Sequence, residues 1–261
     1  MPPDKPIAYG RTAKIYPWRN HQILKLFYEW FPAEAIHNEA RIARAVQAAG
    51  LAAPQVGEIV EVDGRLGLAY QRVEGASMGE EMAARPWRLG RLAQQLAELH
   101  AEMHDLPGIE GMPSQRERLE SKIRGARGLS VALQESLLGT LDRMPTGDRL
   151  CHGDFHPWNV LMTAGGAVVI DWDSAAWGNP LADVARTAVL LAGVSKMSEM
   201  VTWREKLAAR WCRRLYLRRY FVIRPGGEEE CRAWRPIVAA ARMSEGIPGL
   251  EDWLLAQAGS P

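Results

Sequence analysis

Cysteine is scarce in this 261-residue sequence: Cys151, Cys212 and Cys231 are the only three, odd in number and far apart. That excludes a disulfide framework and a paired-cysteine zinc pattern, and a reducing cytoplasmic location is expected. Net charge is nearly absent as well, with 32 Lys and Arg against 31 Asp and Glu. No global field draws in nucleic acid or an anionic membrane, and neither is expected as a partner. Apolar runs of membrane-spanning length, internal repeats and low-complexity tracts are missing too. The opening residues MPPDKPIAYGRTAK place prolines and charges where a secretory signal needs an apolar stretch. What is present is ample core material, 47% hydrophobic residues, enough for one large domain or two modest lobes.

The first part of the chain reads as short strands over Ile7–Gly10, Lys14–Trp18 and Gln22–Phe27. Gly10-Arg11-Thr12 between two of them is either an ordinary hairpin turn or a loop whose amides face a phosphate. Lys25 sits mid-strand in ILKLF, alternating with Leu24 and Leu26, so it shares a half-apolar face with Ile23 and Phe27. A helix follows from Pro32 to Ala49, closed by Gly50, and Glu39 lies on its apolar stripe with Ala35, Ile36, Ile42, Ala43 and Val46. A carboxylate on a buried face needs a partner, and Lys25 is the nearest upstream cation on a buried strand. The pair would hold the lysine ready for an anionic ligand. Val56–Val62 and Leu66–Val73 then form a hairpin across Asp63-Gly64. Residues 1–75 are thus expected to form a five-stranded antiparallel lobe with one helix, Glu74-Gly75 a hinge, and residues 76–261 a helical lobe.

In the second lobe Trp87–His104 is amphipathic, and His100 and His104 share a face at a spacing that also suits metal ligation. The glutamate of the zinc-protease pattern is replaced by Ala101, so structural histidines are expected. Two helices divide residues 114–143, and helices recur over 181–191, 202–220, 228–243 and 250–257. Arg213, Arg214, Arg218 and Arg219 read as a solvated or carboxylate-paired face.

The chemistry concentrates in CHGDFHPWNVLMTAGGAVVIDWD, Cys151–Asp173. Asp154 can take a hydroxyl proton. Asn159 offers an amide oxygen, and Asp171, after the apolar strand Ala167–Ile170, offers a carboxylate. A base plus two hard oxygen donors is what phosphoryl transfer with Mg2+ asks of a protein, and Lys25 adds a cation for the phosphates.

HGDFHPWNVL followed by VVIDWDSAAWGNPLADVA resembles the paired signature of the aminoglycoside phosphotransferase and choline kinase-like superfamily, relatives of the protein kinases. The resemblance implies an α+β, bilobal protein-kinase-like fold with a small antiparallel-sheet N-lobe and a mainly helical C-lobe. It makes Asp154 the catalytic base, Asn159 and Asp171 the metal ligands, Lys25 the phosphate contact and Glu39 its partner. It places the adenine-binding hinge at Gln71–Val73 and phosphate contacts at Gly10 and Thr12, although this loop has fewer glycines than a protein-kinase nucleotide loop. Asp183 would be structural, anchoring the catalytic loop. The expected activity is transfer of the γ-phosphoryl group of ATP or GTP, with Mg2+, to a hydroxyl of a small molecule.

Two alternatives stand beside it. His152, Asp154, His156 and Asp171 can be read as a metallohydrolase cluster, which leaves Lys25, Glu39 and Asn159 unexplained. A nucleotide-binding pseudokinase would show a lost base or metal ligand, and none is lost. The acceptor is not legible: from Val201 to Pro261, 11 Lys and Arg face 7 Asp and Glu, a balance that disfavours a polycationic aminoglycoside.

Overall fold

Alternation in the first strands sets the architecture of the computed structural model, which describes residues 5–197 and 201–259. Strands β1 (Ala8–Tyr9), β2 (Ala13–Trp18) and β3 (Gln22–Phe27) precede helix α1 (Ala33–Ala48), and β4 (Val56–Val62) and β5 (Arg65–Gln71) follow it. They form one antiparallel sheet in the order β1-β2-β3-β5-β4. One face of β3 buries Leu24 and Leu26 with Tyr16 and Val62. The other packs Phe27 with Ala13, Leu68 and, from α1, Ile36 and Ala40. This is the period of two, and it leaves Lys25 on the α1 side. Asp63 and Gly64 both have positive φ, 51° and 75°, the geometry of the tight hairpin that joins β4 to β5.

Helix α1 starts after Pro32, which holds the extended conformation at the cap, and Gly50 at φ 79° follows its C-terminus. Its buried stripe is Ile36, Glu39, Ala40, Ile42, Ala43 and Val46. Glutamate is the exception in that row.

The chain continues through β6 (Ala76–Ser77), α2 (Met78–Ala84), α3 (Leu89–Met103), α4 (Gln115–Arg124), α5 (Val131–Arg143) and β7 (Arg149–Cys151). After these come β8 (Val160–Thr163), β9 (Gly166–Val169), β10 (Ala176–Gly178), α6 (Pro180–Val194), α7 (Trp203–Ile223), α8 (Glu228–Met243) and α9 (Glu251–Ala258). β6, β8 and β9 form a three-stranded antiparallel sheet, and β7 pairs with β10. The chain therefore has an antiparallel-sheet N-terminal part and a mostly helical C-terminal part, as expected from the sequence. Among the described residues no helix is long and apolar enough to cross a membrane.

Two compact units emerge: Met1–Ser77 with Asn159–Asp173, and Met78–Trp158 with Ser174–Pro261. The first contains the five-stranded sheet, α1 and the β8–β9 hairpin. In the second, α3 packs on α7, and α6 packs on both α7 and α8. Helix α6 begins where Asn179 caps it, accepting a hydrogen bond from Leu181 N, with Pro180 at the first helical position. Of the arginines on α7, Arg219 pairs with Glu98 of α3 at 2.6 Å.

Candidate active site

In the first unit the buried stripe of α1 meets the α1 face of β3. Lys25 Nζ donates to Glu39 Oε1 at 2.8 Å, and the same nitrogen lies 3.0 Å from Asp171 Oδ1. The side chains of Glu39 and Lys25 are 4% and 13% exposed, while Asp171 is 42% exposed. Burial alone would push the Lys25 ammonium down. The charges of Asp171 and Glu39, with Asp173 beyond them, outweigh it and hold Lys25 well above its ordinary pKa. Glu39 moves the other way from a typical ion-paired acid, because burial raises it more than Lys25 lowers it.

Tyr70 of β5 also donates to Glu39 Oε1, at 2.9 Å. Sequence reasoning did not find this residue. Its hydroxyl is pushed well above the ordinary value by burial and by the neighbouring Glu39 charge.

The β8–β9 hairpin brings the backbone of Asn159 against that of Ile170, the residue before Asp171. Val160 pairs with Val169, and Ile170 N donates to Asn159 O at 3.0 Å, so residue 159 lies across from the residue preceding Asp171. Asn159 is buried. Asp171 itself adopts φ 64°, in the left-handed region where Asp and Asn are the most tolerated side chains after glycine. Trp172 fixes the chain beyond it, its Nε1 donating to Val169 O at 3.0 Å.

The remaining candidate nucleotide contacts lie at two edges of the same unit. Gly10 and Thr12 form the turn between β1 and β2, where Gly10 N donates to Ala13 O at 2.8 Å and Tyr28 N donates to Thr12 O at 3.0 Å. Gln71 closes β5, its N donating to Gln55 O at 2.7 Å, and Val73 lies half-buried two residues further on.

Asp154 belongs to the second unit, on the loop that leaves β7. Three residues of α6 at positions 183, 186 and 187 share one helical face and hold this loop from below. Asp183 accepts from His152 N at 2.6 Å and Gly153 N at 2.9 Å. Arg186 Nε donates to Gly153 O at 3.2 Å, and Thr187 Oγ1 donates to Phe155 O at 2.8 Å. Gly153 has φ 77°, and a Cβ there would collide with Ser174 O. Glycine is the residue this turn permits.

Asp183 also resolves the question of the paired histidines. His100 Nε2 lies 3.1 Å and His104 Nε2 3.5 Å from Asp183 Oδ2, while their Nδ1 atoms lie 2.6 Å from Tyr216 Oη and 2.8 Å from Tyr220 Oη. Burial opposes the Asp183 charge, yet hydrogen bonds from both histidines bring its pKa well below the ordinary carboxylate value. Burial lowers His100 to about 3, with His104 adding to the effect, so the imidazole is neutral. A neutral ring beside a carboxylate donates through Nε2 and accepts a hydrogen bond from the tyrosine hydroxyl at Nδ1. The three groups lie close enough together to ligate an ion, but each ligand atom already has a hydrogen-bond partner. This network anchors the loop.

Asp154 N donates to His152 Nδ1 at 3.2 Å, and Asp154 Oδ1 accepts from Arg186 Nη2 at 3.1 Å. Oδ2 lies 3.5 Å from His156 Nε2. Burial works to raise its pKa, but the hydrogen bond from His156 and the charge of Arg186 hold it well below the usual carboxylate range. Arg186 escaped sequence reasoning. The signal was present, a lone cation in the apolar run LADVARTAVLL, and required the argument applied to Lys25.

A family model described as the phosphotransferase enzyme family matches residues 22–234. Among solved structures, the chain is similar to an aminoglycoside-3'-phosphotransferase of type VIII, with 21% identity over 91% of this chain and 92% of that one and a TM-score of 0.63. It is also similar to an aminoglycoside phosphotransferase from Streptomyces rimosus in complex with ADP and streptomycin, with 17% identity, 91% of each chain covered and a TM-score of 0.60. A choline kinase from Cryptosporidium parvum aligns at 12% identity over 97% of this chain and 86% of that one, with a TM-score of 0.58. No curated protein sequence matches.

Proposed function

The chain belongs to the phosphotransferase enzyme family, and on that premise we propose that it transfers the γ-phosphoryl group of ATP or GTP to a hydroxyl of a small molecule. The observation that carries this reading is Lys25 between Glu39 and Asp171. A buried cation is held by one inaccessible acid and one accessible acid, so its charge is fixed in place and open to phosphate oxygens from the Asp171 side.

In this reading Lys25 binds the α- and β-phosphates, Glu39 orients it, and Tyr70 keeps Glu39 aligned. The turn at Gly10 and Thr12 contributes phosphate contacts, and the segment Gln71–Val73 recognises the purine through backbone groups. Asn159 and Asp171 are the residues that would hold Mg2+. An amide oxygen and a carboxylate are hard donors suited to that ion, and the hairpin hydrogen bond between residues 159 and 170 favours their joint use. When bound, Mg2+ supplies neutralisation of phosphate charge. Asp154 accepts the proton of the acceptor hydroxyl. A strongly depressed pKa keeps it in the anionic form that this task requires, at the cost of intrinsic basicity, which suits a role in orienting the hydroxyl as the phosphoryl group arrives.

The acceptor in this reading is a small hydroxylated molecule. The test is a panel of hydroxylated acceptors with MgATP and MgGTP, read by nucleoside diphosphate release and by mass of the phosphorylated acceptor. Asp154→Ala is expected to abolish transfer while nucleotide binding survives. Transfer by this variant at the wild-type rate would overturn the assignment of the base, and diphosphate release without a phosphorylated acceptor for any compound would overturn the proposed function.

A further inference from the structure

Arg186 touches the proposed base directly. We propose that Arg186, itself set by Glu245, is a positioning residue that fixes the orientation of the Asp154 carboxylate by holding its Oδ1. This rests on Asp154 being the base.

The geometry is that of a clamp. Arg186 uses Nε for the carbonyl of Gly153 and Nη2 for Oδ1 of Asp154, so one guanidinium holds both the backbone and the side chain of the loop. The same Nη2 also donates to Glu245 Oε1, just beyond the end of α8. An arginine facing a carboxylate alone tends to bind both oxygens in a parallel fork. Here the guanidinium is shared among Gly153, Asp154 and Glu245, and Nη2 meets Asp154 at Oδ1, 3.1 Å away. Oδ2 is turned instead to the side where His156 lies.

Glu245 is what makes the division stable. Arg186 and Glu245 are nearly buried, at 9% and 8% exposure. Lys122 of α4 lies 3.7 Å from Glu245 Oε1, and Arg242 of α8 lies 3.8 Å from Oε2. Two further cations therefore hold the glutamate in place behind the arginine. Among the described residues the charged or titratable groups facing Asp154 include His152 and His156 on its own loop and Arg186 from α6, with Glu245, Lys122 and Arg242 in the next layer.

The experiment uses the full chain with Arg186→Met, Arg186→Lys and Glu245→Gln, and two readouts. The first is the carboxyl signal of Asp154 in protein labelled with carbon-13 aspartate, identified by its loss in Asp154→Asn and followed against pH. Removing the guanidinium is expected to move its titration upward by about one to three pH units. The second is steady-state transfer, in which Arg186→Met is expected to lower kcat by roughly ten- to a hundredfold with the KM for ATP unchanged, as misplacement of a reacting group does. Arg186→Lys should recover part of kcat. Should Arg186→Met fail to fold, Glu245→Gln, which keeps the guanidinium, is expected to shift both readouts less but in the same direction. An unmoved Asp154 titration together with wild-type kcat in the folded variants would overturn the proposal, whatever their thermal stability. A wild type that phosphorylates no acceptor would overturn the function instead, and the titration alone would then decide the clamp.

Discussion

Replacing Asp183 by asparagine tests whether one carboxylate carries the loop of Asp154. Its Oδ2 receives His152 N, His100 Nε2 and His104 Nε2, and its Oδ1 receives Gly153 N. An asparagine amide can keep its oxygen at only one of these positions. With the oxygen at the crowded site, three hydrogen bonds survive without charge assistance, each weaker by about 1 kcal/mol. The amide NH2 then faces Gly153 N–H, a buried donor left unsatisfied at about 1–3 kcal/mol. Relief from burying a charge returns several kcal/mol in part, so the net destabilisation should be about 2–4 kcal/mol. In a protein of this size that lowers Tm by about 5–15 °C. Urea and thermal unfolding at neutral pH measure it. The pH dependence supplies a second check. Asp183 has a depressed pKa in the folded state, so its contribution is present above the unfolded value near about 4 and is lost as pH falls through the folded value. The gap between wild type and Asp183→Asn should persist from neutral pH down to about 4 and close only below it. A variant within about 0.5 kcal/mol of wild type at neutral pH would refute the reasoning.

Three other outcomes follow from the same contacts. Lys25→Met leaves Glu39 buried without its cation and should cost about 3–5 kcal/mol at pH 8; because the folded pKa of Glu39 is already raised and would rise further, the loss should shrink toward pH 5, which denaturation at the two pH values measures. His100 is neutral and buried with a folded pKa of about 3, below its unfolded value, so stability should fall as pH drops from about 6.5 toward 3, by up to about 1.4 kcal/mol per pH unit; His100→Gln should flatten that slope in an acid titration of unfolding. Gly153→Ala places a side chain at φ 77° against Ser174 O and should cost about 1–3 kcal/mol, read by Tm, with a matching loss of phosphate transfer.

The sequence was most readable where one physical rule acted locally. Strand alternation put Lys25 opposite Leu24 and Leu26, helical periodicity put Glu39 on the buried stripe, and the two met at 2.8 Å. The expected helix from Pro32 to Ala49 is found over Ala33–Ala48, its ends set by a proline and a glycine. Strands β6 and β10, of two and three residues, were missed because so short a piece has no period, and each exists only through its pairing with β8 or β7. The anchoring role expected for Asp183 was legible as a position, but its partners His100 and His104 lie 83 and 79 residues away. Arg186 and Glu245 are 59 residues apart with nothing in either neighbourhood to name the other. Long-range polar partners are fixed by tertiary packing, and a single sequence carries the demand for a partner without its address.

The β8–β9 hairpin, which belongs with the first unit although residues 78–158 come before it, also bears on the order of synthesis. Lys25 leaves the ribosome 146 residues ahead of Asp171. At about 5–20 residues per second that is roughly 7–30 seconds in which the sheet and α1 can assemble while Lys25 has Glu39 but not yet Asp171. The inaccessible half of the ion pair is thus encoded early and the accessible half late. A nascent chain halted after Gln71 would already carry the buried pair, and one halted after Asp171 would be the first to carry the lysine with both of its acids.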